Sequence, residues 1–389
     1  MGFLAIESLE SRTLFTQIPE FAVTSLVSDG PAVPALHHDK NLVDGWGLAV
    51  GPNTALWVAN NGTGTSTLYD GNGNKISLNV SIPEPNGTFD SSSTPSGEVF
   101  NGTSGFQVQP GKPAEFIYAT ETGTISAWAP NANPTKAIVK VNNSAKGGDY
   151  TGVAMGTVNN KNFLYVANFG SRHIEAYDSS FHGTHLTGTF RDPTIPSGYS
   201  PFGIQNVNGL IYVTYARQDL YEGAGAGKGN GYISVFNPDG TFVKRLASRG
   251  SLNAPWGMTR ISTGFGDFNK MLAVGNFGDG MIQVFNPSTG KFLGYLLNGK
   301  HNKPVHIDGL WGITFGSGGS LGGGTKELFF VAGPNGESNG LFGKLTLSGF
   351  NTGATPTQQT PPPPGGGYMF PMSATHSSLV DDVLGSKSS

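Results

Sequence analysis

An all-β fold, a six-bladed β-propeller of four-stranded antiparallel blades closed by an N-terminal strand in the last blade, is what this sequence predicts, on three observations. First, a glycine opens a strand-like run six times: Trp46-Gly47-Leu48, Ser104-Gly105-Phe106, Thr151-Gly152-Val153, Phe202-Gly203-Ile204, Trp256-Gly257-Met258 and Trp311-Gly312-Ile313. A recurrence about every fifty residues means stacked units rather than one irregular core. Second, each glycine run is followed by a short apolar segment, such as Leu56-Trp57-Val58-Ala59-Asn60 or Leu164-Tyr165-Val166-Ala167-Asn168. Third, turn signals separate further alternating segments, as at Asn237-Pro238-Asp239-Gly240 and Asn286-Pro287-Ser288-Thr289-Gly290.

The elements follow in order within each repeat. The glycine run is the innermost strand, because strands crowded around an axis need a residue without Cβ where backbones approach. The second segment, continuous and rich in β-branched and aromatic residues, suits a strand buried on both faces. The third alternates, as in Ile174-Glu175-Ala176-Tyr177 and Ile282-Gln283-Val284-Phe285, which marks one wetter face. A fourth segment such as Phe242-Val243-Lys244-Arg245-Leu246 completes a meander. Such units arranged radially are propeller blades.

Closure is also legible. Repeat six has its third strand at Leu341 to Leu347, then turns into Thr352-Gly353-Ala354-Thr355-Pro356 and a run of prolines, which leaves it without a fourth. Phe21 to Val27 precedes the first repeat and supplies the missing strand, so removing residues before Ser28 should destabilise the ring. The organisation is therefore 1–19 as an export-type or disordered segment, 20–350 as one propeller, and 351–389 as a Pro-, Gly- and Ser-rich disordered tail.

Composition narrows the partners. Of 389 residues, charged ones make up 13%, and the formal net charge of -3 supplies no basic field for nucleic acid. No cysteine is present, so disulfides, thiolate zinc sites and cysteine nucleophiles are excluded. No apolar run is long enough to span a membrane, and Gly2 to Ile6 is too short for an ordinary signal core.

Two resemblances add to this reading. Glu7-Ser8-Leu9-Glu10-Ser11-Arg12-Thr13-Leu14-Phe15 resembles the N-terminal motif of planctomycete-type surface and secreted proteins, which implies an extracellular, cell-surface or periplasmic location. Residues 20 to 350 resemble a bacterial family of uncharacterised, often exported propellers. The carriers are Thr24 to Asp29, Asn41-Leu42-Val43-Asp44-Gly45-Trp46-Gly47-Leu48, Trp57 to Thr63, Leu68-Tyr69-Asp70-Gly71 and Ile307-Asp308-Gly309-Leu310-Trp311-Gly312. More distantly the chain is similar to NHL and lactonase-type six-bladed propellers. The near family implies a fold and no activity.

Residues just before each repeat glycine converge on one mouth of a propeller channel. Four of them, Trp46, Phe202, Trp256 and Trp311, are aromatic and form an expected ligand-contacting collar, the alternative being wedges between blades. Asp44, Asp149 and Asp308 lie a few residues upstream and are expected either to orient a ligand, to hold Ca²⁺ through oxygen donors, or to cap turns. Beside them, His306 is a candidate base or ligand, the alternative being a hydrogen-bonded surface histidine, and His37-His38-Asp39 and His182-Gly183-Thr184-His185 offer metal donors but lack a convincing third partner. Gly223-Ala224-Gly225-Ala226-Gly227-Lys228-Gly229 has the wrong spacing for a phosphate loop, and residues 217–231 read instead as a partial lid carrying Arg217, Asp219 and Glu222. Neither a Gly-x-Ser-x-Gly elbow nor a His-Glu-x-x-His motif is present.

The resulting expectation is a non-catalytic propeller binding a small molecule, glycan or protein at one mouth, with no nucleic-acid partner, no membrane insertion and no assigned cofactor. A Ca²⁺-assisted hydrolase or lactonase using the three aspartates is the enzyme alternative, and a structural envelope component is the third reading.

Overall fold

The computed structural model describes residues 18–220, 225–299 and 303–351. Within these residues the chain is strands joined by turns and short 3-10 segments. Each repeat builds its own antiparallel sheet. The first holds Gly45–Val50, Leu56–Asn60, Thr65–Tyr69 and Lys75–Ser81. In the second come Pro95–Phe100, Phe116–Thr120, Thr124–Trp128 and Ile138–Asn142. The fourth runs from Tyr199–Val207 to Phe242–Ser248, and the fifth from Pro255–Arg260 to Phe292–Tyr295. In the last sheet Leu310–Phe315, Leu328–Ala332 and Leu341–Asn351 are followed by the N-terminal strand, Ile18–Ser28.

Five sheets therefore contain a four-stranded blade, one fewer than expected, because the third repeat forms only Tyr150–Val158, Lys161–Asn168 and His173–Asp178. Its would-be fourth strand is diverted. Gly188 and Phe190 donate backbone hydrogen bonds to the Asp239 and Gly240 carbonyls of the fourth repeat. Pro193 and Pro196 then interrupt any ladder, since neither has an N–H to give. Asp192 anchors the diversion by accepting from Ser234 Oγ at 2.6 Å and pairing with Arg245.

The first strand lies antiparallel to the last, with Ile18 opposite Asn351 and Ser28 opposite Leu341, and irregularities at Glu20/Phe21 and Ser25/Val27. Phe21, fully buried, stacks on Phe265 at 4.4 Å and so ties this strand to the fifth repeat as well.

Glycine brings the inner strands together. A Cβ on Gly47 would lie 2.8 Å from the Glu98 nitrogen, and one on Gly97 2.9 Å from the Val153 nitrogen. Cβ atoms on Gly203 and Gly257 would overlap the carbonyl oxygens of Trp256 and Trp311, and one on Gly312 would come within 2.7 Å of the Trp46 carbonyl. Each inner strand thus abuts the next, and the last abuts the first. The second repeat uses Gly97, not the expected Gly105. Residues 101–105 form a loop pinned by Asn101, whose Nδ2 donates to the Ala114 carbonyl at 2.8 Å. The polar triplet Ser96-Gly97-Glu98 hid the true inner strand from an apolar pattern.

Candidate functional site

At the axis, the six glycines and their neighbours, including Glu98 and Gln205, line a cavity of about 30 Å³. That is room for about one water molecule. One end of this channel is blocked by aromatic rings. Trp46 stacks on Trp311 at 3.7 Å, and Phe277 stacks on Trp311 at 4.1 Å from another side. Phe202 and Trp256 each lie 5.6 Å from Trp311. The Trp256 indole N–H reaches past the fourth repeat to donate to the Thr151 carbonyl at 2.9 Å.

The structure therefore brings the four expected aromatics together, but as a plug rather than an open collar. Phe202 and Trp311 are fully buried, Trp46 nearly so, and only Trp256 is half-buried. Phe169 and Phe277, which the sequence reading did not include, complete the plug.

Above the plug the backbone repeats one local arrangement. In five of the six repeats the residue after the second strand donates its N–H to the carbonyl of the residue three before the inner glycine, and in the fourth Gln218 donates to Gly198 instead. The pairs are Asn61 to Asp44 (2.9 Å), Glu121 to Thr94 (3.1 Å), Phe169 to Asp149 (2.7 Å), Phe277 to Ala254 (3.0 Å) and Gly333 to Gly309 (2.9 Å). In the first three repeats this brings Asp44 and Asn61, Thr94 and Glu121, and Asp149 and Phe169 next to one another. Asp44 adopts a left-handed φ of 49° there, a conformation that aspartate tolerates better than most residues.

Four carboxyls result from this geometry and from the turn after the last second strand: Asp44, Glu121, Asp149 and Glu337. Asp44 Oδ2 accepts the Trp46 indole N–H at 2.8 Å, and Glu121 Oε2 accepts Asn61 Nδ2 at 2.8 Å. By contrast, Asp149 Oδ1 has no hydrogen-bond partner among the described residues, and Asp44 Oδ1 and Glu337 Oε1 have at most the shared Trp311 indole N–H. The Trp311 N–H lies near both Asp44 and Glu337, close enough to favour their charged forms. Asp44 and Asp149 are buried, whereas Glu121 and Glu337 are half-buried.

Electrostatics follow directly. Burial pushes the Glu121 carboxyl up to about 7 despite its bond from Asn61. Burial and the nearby Glu121 raise Glu337 to about 8. Asp44 is held well above the usual carboxylate range by burial and by Glu337, and Asp149 by burial and Glu121. No basic side chain is among the principal influences on the four. Arg217, the arginine nearest in the repeat pattern, forms a two-point pair with Asp219 instead.

Other expected site residues are engaged differently. Asp308 accepts the Asn335 backbone N–H at 2.9 Å, a turn-capping contact in keeping with the turn alternative. Among the described residues no group of three or more His, Asp or Glu side chains is arranged to hold a metal ion. Asp39 is spent on Tyr69 (2.8 Å) and Lys75 (2.7 Å), while His182, His185 and His306 are exposed. The glycine-rich loop packs Ala226 against the plug, and its Gly227 N–H donates to Asn253 Oδ1 at 2.6 Å. Glu222, the N-terminal export-type motif and the tail beyond 351 lie outside the described residues. Among those described, no helix is long and apolar enough to cross a membrane.

Comparison with known proteins gives relatives rather than an activity. The chain is 34% identical over 325 residues to the uncharacterised protein R648 of Acanthamoeba polyphaga mimivirus, covering 80% of this chain and 76% of that one. It is 33% identical over 328 residues to the uncharacterised mimivirus protein L690, covering 80% and 82%. These relatives are viral, which corrects the expectation of a bacterial family. No family model matches. Among solved structures, virginiamycin B lyase from Staphylococcus aureus aligns with a TM-score of 0.45 at 15% identity, over 85% of this chain and 100% of that one. A nidogen/laminin complex aligns with a TM-score of 0.42 at 14% identity, over 70% and 83%. Likeness at this level assigns no chemistry.

Proposed function

We propose that this chain, which belongs to the same family as the mimivirus proteins R648 and L690, is a non-catalytic binding propeller whose ligand docks in the recess formed by Asp44, Glu121, Asp149 and Glu337. In this reading the three-stranded sheet counts as the third of six sectors of the ring, and Ile18–Ser28 closes it. One observation carries the assignment: buried carboxyl oxygens of Asp44, Asp149 and Glu337 lie together with at most one shared donor, the Trp311 indole N–H, to meet them. Buried polar groups ordinarily find partners, and leaving them without costs about 1–3 kcal/mol each. A ligand that satisfies them recovers that cost. The aromatic plug beneath favours docking over passage, because the channel it seals has a volume of only about 30 Å³.

The test is a thermal-shift panel of 1,4-diaminobutane, calcium chloride and N-acetylglucosamine against the wild-type protein and the variants Glu121→Gln and Asp149→Asn. At least one compound should raise the wild-type melting temperature and lose that effect in both variants. Stabilisation that survives in both variants, or none with any compound, would sink the assignment. The metal-assisted hydrolase reading asks for converging oxygen ligands, and the described residues do not provide such a group.

A further inference from the structure

We propose that the recess takes an organic cation carrying primary ammonium groups, with an aliphatic diamine as the simplest form; this rests on the binding reading above and names its ligand class. Four carboxyls come from the sixth, first, second and third sectors of the ring, and their mutual influence has a defined pattern. Glu121 acts on Asp44, Asp149 and Glu337, while Asp44 and Glu337 act on each other. Negative charge is thus spread to both sides of Glu121 rather than focused on one point.

A divalent metal ion needs oxygens gathered in a single shell, and no such group is found among the described residues. An ammonium is less demanding. It presents three donors on a flexible stem and can meet carboxyl oxygens singly. The atoms short of donors are of the right kind, since Asp44 Oδ1, Asp149 Oδ1 and Glu337 Oε1 accept hydrogen bonds when ionised. A neutral sugar would leave the acids protonated, whereas a cation gains charge pairing as they ionise. The stacked Trp46 and Trp311 floor excludes water beneath the acids, which strengthens any charge pairing above it.

A proton-coupled signature follows. Without a cation, Glu121 and Glu337 hold protons up to about 7 and 8 respectively. Entry of an ammonium favours their ionised forms and expels those protons. The groups facing Glu121 are Asp44, Asp149 and Glu337, with the Asn61 amide, so no neighbouring base absorbs the change.

Isothermal titration calorimetry with 1,4-diaminobutane, in two buffers of different ionisation enthalpy at pH 6 to 8.5, tests this. Expected are saturable binding, protons released on binding, and affinity rising by up to about tenfold per pH unit for each proton displaced. Glu121→Gln, nearly isosteric, should abolish binding while circular dichroism shows the fold retained. Equal binding of 1,4-butanediol would overturn the cation assignment, as would calcium binding in place of the diamine. In either case, loss of that binding in Glu121→Gln would leave the recess as the binding site. No binding by any of the three probes, or diamine binding unchanged in Glu121→Gln and Asp149→Asn, would overturn both readings.

Discussion

Trp46 and Trp311, separated by most of the chain, stack face to face at 3.7 Å between ring centroids with 24° between their planes. One belongs to the first sheet and the other to the last. The contact lies where the inner strands of those sheets meet, at Gly312 and the Trp46 carbonyl. It brings the first and last sheets together at their inner strands, while Ile18–Ser28 pairs with Leu341–Asn351 at another edge of the last sheet. The same Trp46 donates to Asp44, so ring geometry and the acidic recess share one side chain.

Trp311→Ala should cost about 3–5 kcal/mol of stability, the range for removing a fully buried aromatic. Trp46→Ala should cost less than the top of that range, because Trp46 touches fewer of the plug rings. The double variant should lose less than the sum, since the residues are in direct contact. Urea unfolding followed by tryptophan fluorescence and far-UV circular dichroism measures all three. Strict additivity would show that the stacked pair is not energetically coupled.

Glycines at equivalent positions should differ sharply when substituted. In Gly203→Ala the new methyl would overlap the Trp256 carbonyl and approach Thr214 Oγ1 at 2.8 Å, and backbone cannot give way cheaply there. In Gly152→Ala the nearest atoms stand at 3.4 Å, at the edge of ordinary contact. Neither glycine has a left-handed φ, so space rather than backbone conformation decides the outcome. Gly152→Ala should be nearly neutral and Gly203→Ala strongly destabilising, on the scale of about 1–3 kcal/mol or more for overpacking. Comparable melting temperatures for the two would remove axial crowding as the reason for the repeat.

Five of the six inner glycines were legible in the sequence because Trp, Thr or Phe before them and an apolar residue after them mark a strand start. Gly97 was not, since Glu98 follows it and breaks the apolar signature. Glu98 is nonetheless buried, with Ser66 Oγ donating to it at 3.2 Å. For the site, Asp44 and Asp149 could be read from their spacing to the glycines. Glu121 and Glu337 could not, because they follow second strands and meet the aspartates only after the ring closes. One clue was present: the residue after the second strand, or its last residue in the fourth repeat, is Asn61, Glu121, Phe169, Arg217, Phe277 or Gly333, and that series mixes charge and aromatics where a simple turn would not. The plug was misread as a collar because a count of rings cannot show whether they face solvent or one another.

Truncation through Ser28 should abolish the single cooperative melt. It strips the Leu341–Asn351 edge of its partner and removes Phe21 from Phe265. The milder Phe21→Ala should cost about 3–5 kcal/mol. Differential scanning calorimetry distinguishes them, and an unchanged transition in the truncated protein would show that the first strand does not close the ring.

Arg245→Ala should destabilise by about 3–5 kcal/mol, because it leaves the Asp192 carboxylate buried without its charge partner. Burial alone would raise Asp192, yet Arg245 and Ser234 hold it below its usual value. The joint variant Asp192→Asn with Arg245→Ala should recover part of the loss, as removing both charges is less costly than orphaning one. No recovery in chemical unfolding would show that the third repeat is not held against the fourth by this pair.

The acidic recess sets the pH dependence of stability. Glu121 and Glu337 have folded-state values raised to about 7 and 8 from 4.5, first by burial and, for Glu337, also by neighbouring charge. Between those limits the folded chain binds more protons than the unfolded one, so stability must fall as pH rises. The fall should begin near pH 4.5, continue through about pH 8, and level off for these two groups above it. Asp44 and Asp149 act in the same direction, since both are raised. Glu121→Gln removes the central charge and should flatten the slope between pH 5 and 8, raising the melting temperature at pH 8 relative to wild type. Melting curves at half-unit pH intervals give the slope directly. A wild-type melting temperature that climbs from pH 5 to pH 8, with Glu121→Gln following it in parallel, would mean that the four carboxyls are already compensated and that the recess carries no excess negative charge for a cation to meet.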